Sequence, residues 1–464
     1  MMDAVLQYIS ARRESYLERL ITYLRQPSIA ATGTGMAEAA DLARVTMIEA
    51  GLEARLVDSP GYPFVIGTWL KKAGAPTVLL YGHYDVQPTG NASDWISPPF
   101  EPVVRGDRVF ARGVGDNKGQ HFAHLMAIEA HLRVAGELPC NVIFLLEGEE
   151  EVGSPHIRHF VETHRAELDA DLVVVSDGSL HESGSPVIKY GCRGLLGIEL
   201  IAEDASRDVH SGNFGGVVPN ALWSLVHLLA SMKDNFGNIL VDGFFDNVSP
   251  PTAMELEAVT RLPQVEEAVK RELGLPALDQ PLDRPYFERL MFNPTLTING
   301  ISGGYSGPGV KTIIPCKALA KLDIRLVEFQ SPEEVEAKLK AHVRRFGHRV
   351  ELRRLNAVPP SKTPMESPYA PAIRKAIADA HGQSPYEYPS GGGTLPLYVF
   401  TKIMGLHTFM VPYANHDEAN HAPNENMTLK CFHDGIRTSA ALLRQIGEIE
   451  AHGTAENEGC RASS

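Results

Sequence analysis

The chain has 464 residues, with 43 Lys and Arg against 57 Asp and Glu, for a formal charge of −14. Hydrophobic residues at 44% and charged residues at 22% fit a soluble globular protein and exclude disordered and fibrous classes. The acidic balance argues against nucleic-acid and anionic-membrane partners, and no apolar run reaches the ~20 residues of a membrane span.

The opening stretch, MMDAVLQYISARRESYLERL, is charged and amphipathic. It has no apolar signal region, and its early acidic residues speak against a transit peptide. The five cysteines (Cys140, Cys192, Cys316, Cys431 and Cys460) are scattered, odd in number and without metal-ligand spacing. Free thiols in a reducing cytoplasm are expected.

Apolar periodicity predicts amphipathic helices over 3–25 and 37–51. EARLVDSPGYPFVIGTWL reads as two strands around a Gly/Pro turn. PTVLLYG, NVIFLLEG, ADLVVVSDG and LHTFMVPY read as buried strands, with a helix from Asp116 to about Gly136 between the first two. Near-continuous apolar strands alternating with helices predict a mainly parallel sheet covered on both faces.

The middle of the chain differs. RGLLGIELIAED, NALWSLVHLLASMK, PTLTING, KALAKLDIRLV, SPEEVEAKLKAHVRRFG and HRVELRRLNAV follow a βαββαβ order, a ferredoxin-like α+β sandwich. A helical insertion at about 242–292 interrupts it, and the α/β pattern returns at Ser367. The reading is an α/β catalytic domain of residues 1–189 and 361–464, with an inserted domain at 190–360. The tail AHGTAENEGCRASS has no periodicity and is expected to fray.

Ligands of open parallel sheets bind beyond the carboxyl ends of the strands. There the sequence places His83 and Asp85, then Glu149, Glu150 and Glu151, then Asp177, then a loop with His416, Asp417, Glu418 and His421; Asp116 starts a helix. Singly these are a surface turn, a solvated charge run, a helix cap and loop residues. Their coincidence at one sheet edge suits two zinc ions, which take His nitrogen and carboxylate oxygen. His83, Asp177, Glu151 and His421 with a bridging Asp116 meet the ligand count. Asp85 can orient His83, and Glu150 can stay off the metal as general base.

GHYDVQP, RGVGDNKG, EGEEEVGS and DVHSG resemble, in order and spacing, the motifs of the co-catalytic di-zinc metallopeptidases. That family includes cytosolic non-specific dipeptidase, carnosinase, acetylornithine deacetylase and succinyl-diaminopimelate desuccinylase. The resemblance covers about residues 15–445. It implies His83, Asp116, Glu151, Asp177 and His421 as ligands of two divalent ions (zinc, with manganese or cobalt as substitutes), Glu150 as base and Asp85 as orienter. Asn117 departs from many relatives, which carry Asp there, but is not a ligand position.

The resemblance also makes His210 an oxyanion stabiliser delivered from a partner subunit, so a homodimer through the inserted domain is expected. It assigns Arg325, in DIRLV, to the substrate's C-terminal carboxylate, with Thr312 in KTIIP beside it. In SGGGTLPLYVF, Thr394 can cap a helix with Pro396 in its first turn, and Gly392, Gly393 and Thr394 are expected to contact the same carboxylate. Asp177, where deacylases and carboxypeptidases of the family tend to carry Glu, points to dipeptides. The expected activity is metal-dependent hydrolysis of dipeptides or small peptides. The alternatives are an N-acyl-amino-acid deacylase or desuccinylase, or a non-catalytic metal- or peptide-binding scaffold.

Overall fold

The computed structural model describes residues 2–279 and 284–449. The tail expected to fray, with Cys460, lies outside them. The described chain forms two compact units. The first holds residues up to Tyr190, Thr363–Tyr388 and the chain from Val399; the second holds Gly191–Lys362 and Pro389–Tyr398. The sequence reading put that last segment in the catalytic stretch. Backbone bonds move it: Gly391 N donates to Gly191 O at 2.7 Å and Arg193 N to Gly393 O at 3.1 Å.

Among the described residues the first unit contains an eight-stranded sheet. Its strands run in the order Glu53–Val57, Phe64–Trp69, Asn141–Glu147, Thr77–His83, Leu172–Val175, His407–Met410, Val187–Lys189 and Tyr386–Tyr388. The four central strands from Asn141–Glu147 to His407–Met410 pair in parallel. Val78, Leu79, Leu80 and the whole Val142–Leu146 run are 0–1% exposed, so side chains are covered on both faces. That explains why these strands carry no polar alternation. The helix Lys118–Ala135 is buried along Lys118–His131. Gly136, at φ 75°, closes it in the left-handed conformation that favours glycine.

The predicted helix over 3–25 is two helices, Met2–Ala11 and Arg13–Leu24. Arg12 leaves helical geometry at φ −104°, ψ 9°. The apolar period runs through the break, which hides it from a reading of hydrophobicity alone.

The second unit carries a four-stranded antiparallel sheet, ordered Thr295–Gly303, Lys317–Leu326, Gly194–Glu203, Val350–Val358. The helices Ala221–Met232 and Pro332–Phe346 share one core with it: Leu196, Ile198 and Leu200 alternate along the strand and meet Leu225, Leu228, Val335 and Leu339. Asn220 and Ser331 cap the two helices by accepting amides of Leu222 and Glu334. Three further helices, Ala253–Thr260, Glu266–Leu273 and Tyr286–Phe292, form the insertion. No described helix is long and apolar enough to cross a membrane.

Candidate metal centre

The parallel register brings the predicted ligands together in the first unit. His83 ends its strand, level with Glu147 of the neighbouring strand. Glu150 and Glu151 follow in a short 3-10 turn, Asp177 lies two residues past Val175, and His421 comes from the loop after His407–Met410.

Asp116 is the centre of the cluster. Its Oδ1 lies 3.1 Å from His83 Nε2, and its Oδ2 lies 3.0 Å from His421 Nε2. Asp177 Oδ2 is 3.6 Å from His83 Nε2, and Glu151 Oε2 is 3.2 Å from His421 Nε2. Two donor groups result, His83–Asp116–Asp177 and Asp116–Glu151–His421, each with its ligand atoms within 4.8 Å of one another. The residues fit a pair of divalent cations: the donors are nitrogen and oxygen, no thiol intrudes, and each oxygen of one carboxylate faces a different imidazole. The two groups differ in access, since the His83 side chain is fully buried while that of His421 is 54% exposed.

Electrostatics reflect the crowding of acids. Burial pushes the His83 imidazolium down, but hydrogen bonds to Asp116, Asp177 and Asp85 outweigh it and hold the group well above its ordinary range. Bonds to Asp116 and Glu151 raise His421 to about 10. Burial would raise Asp116, yet the two histidines keep it below the usual carboxylate range. Glu150 is pushed well above it by burial, and Asp177, Asp116 and Glu151 add to the rise against the pull of His83. Such a cluster calls for positive charge.

A surrounding layer holds these groups. Asp85 Oδ1 lies 3.3 Å from His83 Nδ1, and the Asp85 carboxylate accepts the amides of Glu150 and Glu151 at 3.3 and 3.0 Å. Asn117, buried, accepts the His83 amide at 3.4 Å and donates to Ser176 O at 2.6 Å. It stands at the cap position of the 118–135 helix without a side-chain cap bond, so neither it nor Asp116 caps that helix through its side chain. His421 has φ 58°, and Ala419 and Asn424 share the left-handed region at 55° and 65°. Non-glycine residues hold such conformations where surrounding structure fixes them, often at functional sites.

Sequence reading missed two residues of this layer. Gln87 Nε2 donates to Glu151 Oε2 at 2.9 Å. Glu425, fully buried, accepts the amides of Gly113, Gly115 and Asp116 at 2.9–3.1 Å. Gln87 sits in the GHYDVQP motif, two residues past Asp85, which was the available signal; Glu425 had none. Of the other loop acids, Asp417 pairs with Arg108 at 2.8 Å, Glu149 with His156 at 2.7 Å, and Glu418 is buried.

In the second unit, His210 is exposed and caps the short helix Ser211–Phe214. Its Nδ1 accepts the Gly212 amide at 3.0 Å, which puts the proton of a neutral ring on Nε2, 3.5 Å from Thr312 Oγ1. Arg325 Nη1 donates to Thr394 Oγ1 at 2.7 Å, and that hydroxyl donates to Arg193 O at 2.7 Å. The expected cap is therefore overturned: Thr394 is engaged by Arg325, and the helical turn that follows spans Val399–Met404. Gly392 O accepts the Arg193 guanidinium at 3.0 and 2.8 Å, a further residue the sequence reading passed over.

Comparison with known proteins places the chain among metallopeptidases. The chain is 28% identical to the Cys-Gly metallodipeptidase dug1 of Schizosaccharomyces pombe, over 97% of this chain and 99% of that one. It is 26% identical to the Beta-Ala-His dipeptidase of Homo sapiens, over 97% and 93%. Among solved structures, the M20 family metallo-carboxypeptidase Sso-CP2 from Sulfolobus solfataricus superposes with a TM-score of 0.87 at 33% identity, covering 94% of this chain and 99% of that one. Human carnosine dipeptidase 1 does so with a TM-score of 0.79 at 26% identity, covering 97% and 100%. The family model for peptidase family M20/M25/M40 matches residues 79–445, and the chain belongs to that family.

Proposed function

We propose that this protein is a metal-dependent dipeptidase. The observation that carries the reading is the pair of ligand groups sharing Asp116. His83, Asp177, Glu151 and His421 complete the two groups. Two zinc ions held there, with manganese or cobalt as substitutes, supply the Lewis acidity that makes water a nucleophile at neutral pH.

Glu150 takes the proton of the attacking water and delivers it to the leaving amine. Its burial among acids raises its basicity, as suits a proton acceptor. Asp85 keeps the His83 ring oriented through Nδ1. Arg325, with Thr394, Gly392, Gly393 and Thr312, reads the substrate's C-terminal carboxylate; a guanidinium fork matches it. The proton on His210 Nε2 suits donation to the developing oxyanion.

The names of similar proteins support free dipeptides as substrates. The name of the Sulfolobus protein favours a second reading, a carboxypeptidase acting on longer peptides. A homodimer through the second unit is supported by its edge strand Thr295–Gly303, where Ile298 and Ile301 are 45% and 51% exposed, and by Trp223, 60% exposed, on the 221–232 helix. The reading includes a cytoplasmic setting for the chain, in keeping with its free described cysteines.

The test is a hydrolysis panel with metal-reconstituted protein: free dipeptides, N-blocked longer peptides, and N-acetyl and N-succinyl amino acids. Preference for free dipeptides is expected. Cleavage confined to N-blocked peptides establishes the carboxypeptidase reading, and cleavage confined to N-acyl amino acids overturns both.

A further inference from the structure

The outer contacts of the two ligand groups are not shared equally. Asp85 touches both, through the His83 ring and the amides of Glu150 and Glu151. Glu425 holds the amide of Asp116, the ligand common to both. Gln87 bonds to one group alone. Its Nε2 donates to Glu151 Oε2 at 2.9 Å and to Glu151 O at 3.2 Å. Glu151 Oε2 is the oxygen that faces His421.

We infer that Gln87 is a positioning residue that sets the affinity of the Glu151–His421 metal subsite and leaves the His83–Asp177 subsite unaffected. A carboxylate oxygen has two acceptor positions. One taken by the Gln87 amide leaves the other facing the cluster. The second bond, to the Glu151 carbonyl, ties the same amide group to the backbone and fixes where the first one points. A free glutamate side chain loses rotamer freedom on binding an ion, and a carboxylate already held in place has lost it beforehand. This subsite needs such help more than its neighbour. Among the described residues, Gln87 and His421 are the only side chains bonded to the Glu151 carboxylate, and His421 is half exposed with no bond to its Nδ1. His83 is buried and oriented by Asp85.

The inference rests on the two-ion reading, and the test separates them. Metal-free parent and Gln87→Leu are titrated with Zn²⁺ by calorimetry at fixed pH in one buffer. The leucine removes both N–H donors at similar size. The parent takes two ions. In Gln87→Leu one step weakens ~10–100-fold, the range for losing an outer partner of a ligand, and the other is unchanged. In a Glu151→Gln background the remaining step does not respond to Gln87→Leu. Gln87→Met, which keeps the side-chain length, gives the same split, and the metal-free variants keep the parent's Tm. A parent binding fewer than two ions overturns the two-ion reading and this inference with it. Two steps in the parent that stay intact, or weaken alike, in both Gln87 variants overturn the role of Gln87 alone.

Discussion

Arg112 and Glu425, 313 residues apart in sequence, form a buried ion pair: Arg112 Nη1 donates to Glu425 Oε2 at 2.7 Å. The same carboxylate accepts three amides of the loop that presents Asp116. A late segment of the chain thereby holds Asp116, the residue common to both donor groups, in place.

Glu425→Gln replaces an acceptor of four bonds by a group that is half donor and leaves the Arg112 guanidinium without its counter-charge. Breaking a buried pair by removing one partner destabilises by about 3–5 kcal/mol. Denaturant unfolding of the metal-free protein is expected to show a loss of that order. Because Asp116 serves both ligand groups, both zinc-binding steps weaken, in contrast to Gln87→Leu. An unchanged midpoint with parental zinc affinity would remove the clamp role.

Arg325→Lys keeps the charge but loses the guanidinium fork. KM for free dipeptides is expected to rise well beyond that for C-terminally amidated ones, with kcat changed less. Steady-state kinetics on matched substrate pairs decide. An equal loss on both substrates means that Arg325, bonded to Thr394, supports its unit and does not read the carboxylate.

His124 is 2% exposed and lies 2.8 Å from Ser176 Oγ. Burial lowers its imidazole from 6.5 to about 3. Between those values the unfolded chain binds the proton and the folded chain does not, so stability falls as pH falls through that window. The slope from this group approaches ~1.4 kcal/mol per pH unit. Urea unfolding of metal-free protein between about pH 7 and about pH 5 is expected to show a shallower loss in His124→Gln than in the parent. Equal losses would assign the acid sensitivity to other groups.

If His210 completes the partner's site, two inactive chains restore each other. Glu150→Gln mixed with His210→Ala under subunit exchange gives about half mixed dimers, each with one intact site, and roughly a quarter of parental activity. The exposed edge strand Thr295–Gly303 is where the two copies are expected to pair. Verified exchange without recovery would confine His210 to its own chain.

What the sequence made legible follows from how strongly position is coded. The buried strands announce themselves by apolar runs, and His83 at the end of one and Glu151 and Asp177 beyond two others fall at one edge by register. The break at Arg12 left no trace because both short helices keep one apolar period. Thr394 misled because a hydroxyl before Leu-Pro looks like a helix cap, whereas Arg325 and the Arg193 carbonyl claim it. Glu425 was invisible for the same reason: its partners Arg112, Gly113, Gly115 and Asp116 lie more than 300 residues away, and no local pattern encodes them.

Two ions held between His83–Asp177 and Glu151–His421 across Asp116, with Glu150 as the proton acceptor, form the core of the proposed chemistry. Its most direct test is metal content and turnover measured together on reconstituted parent and Glu150→Gln. Expected are two ions per chain in both proteins, free-dipeptide hydrolysis by the parent, and a kcat lower by at least ~10²-fold in the variant, the lower range for lost general-base assistance. Near-parental kcat in fully loaded Glu150→Gln, or a parent that holds fewer than two ions while fully active, would contradict it.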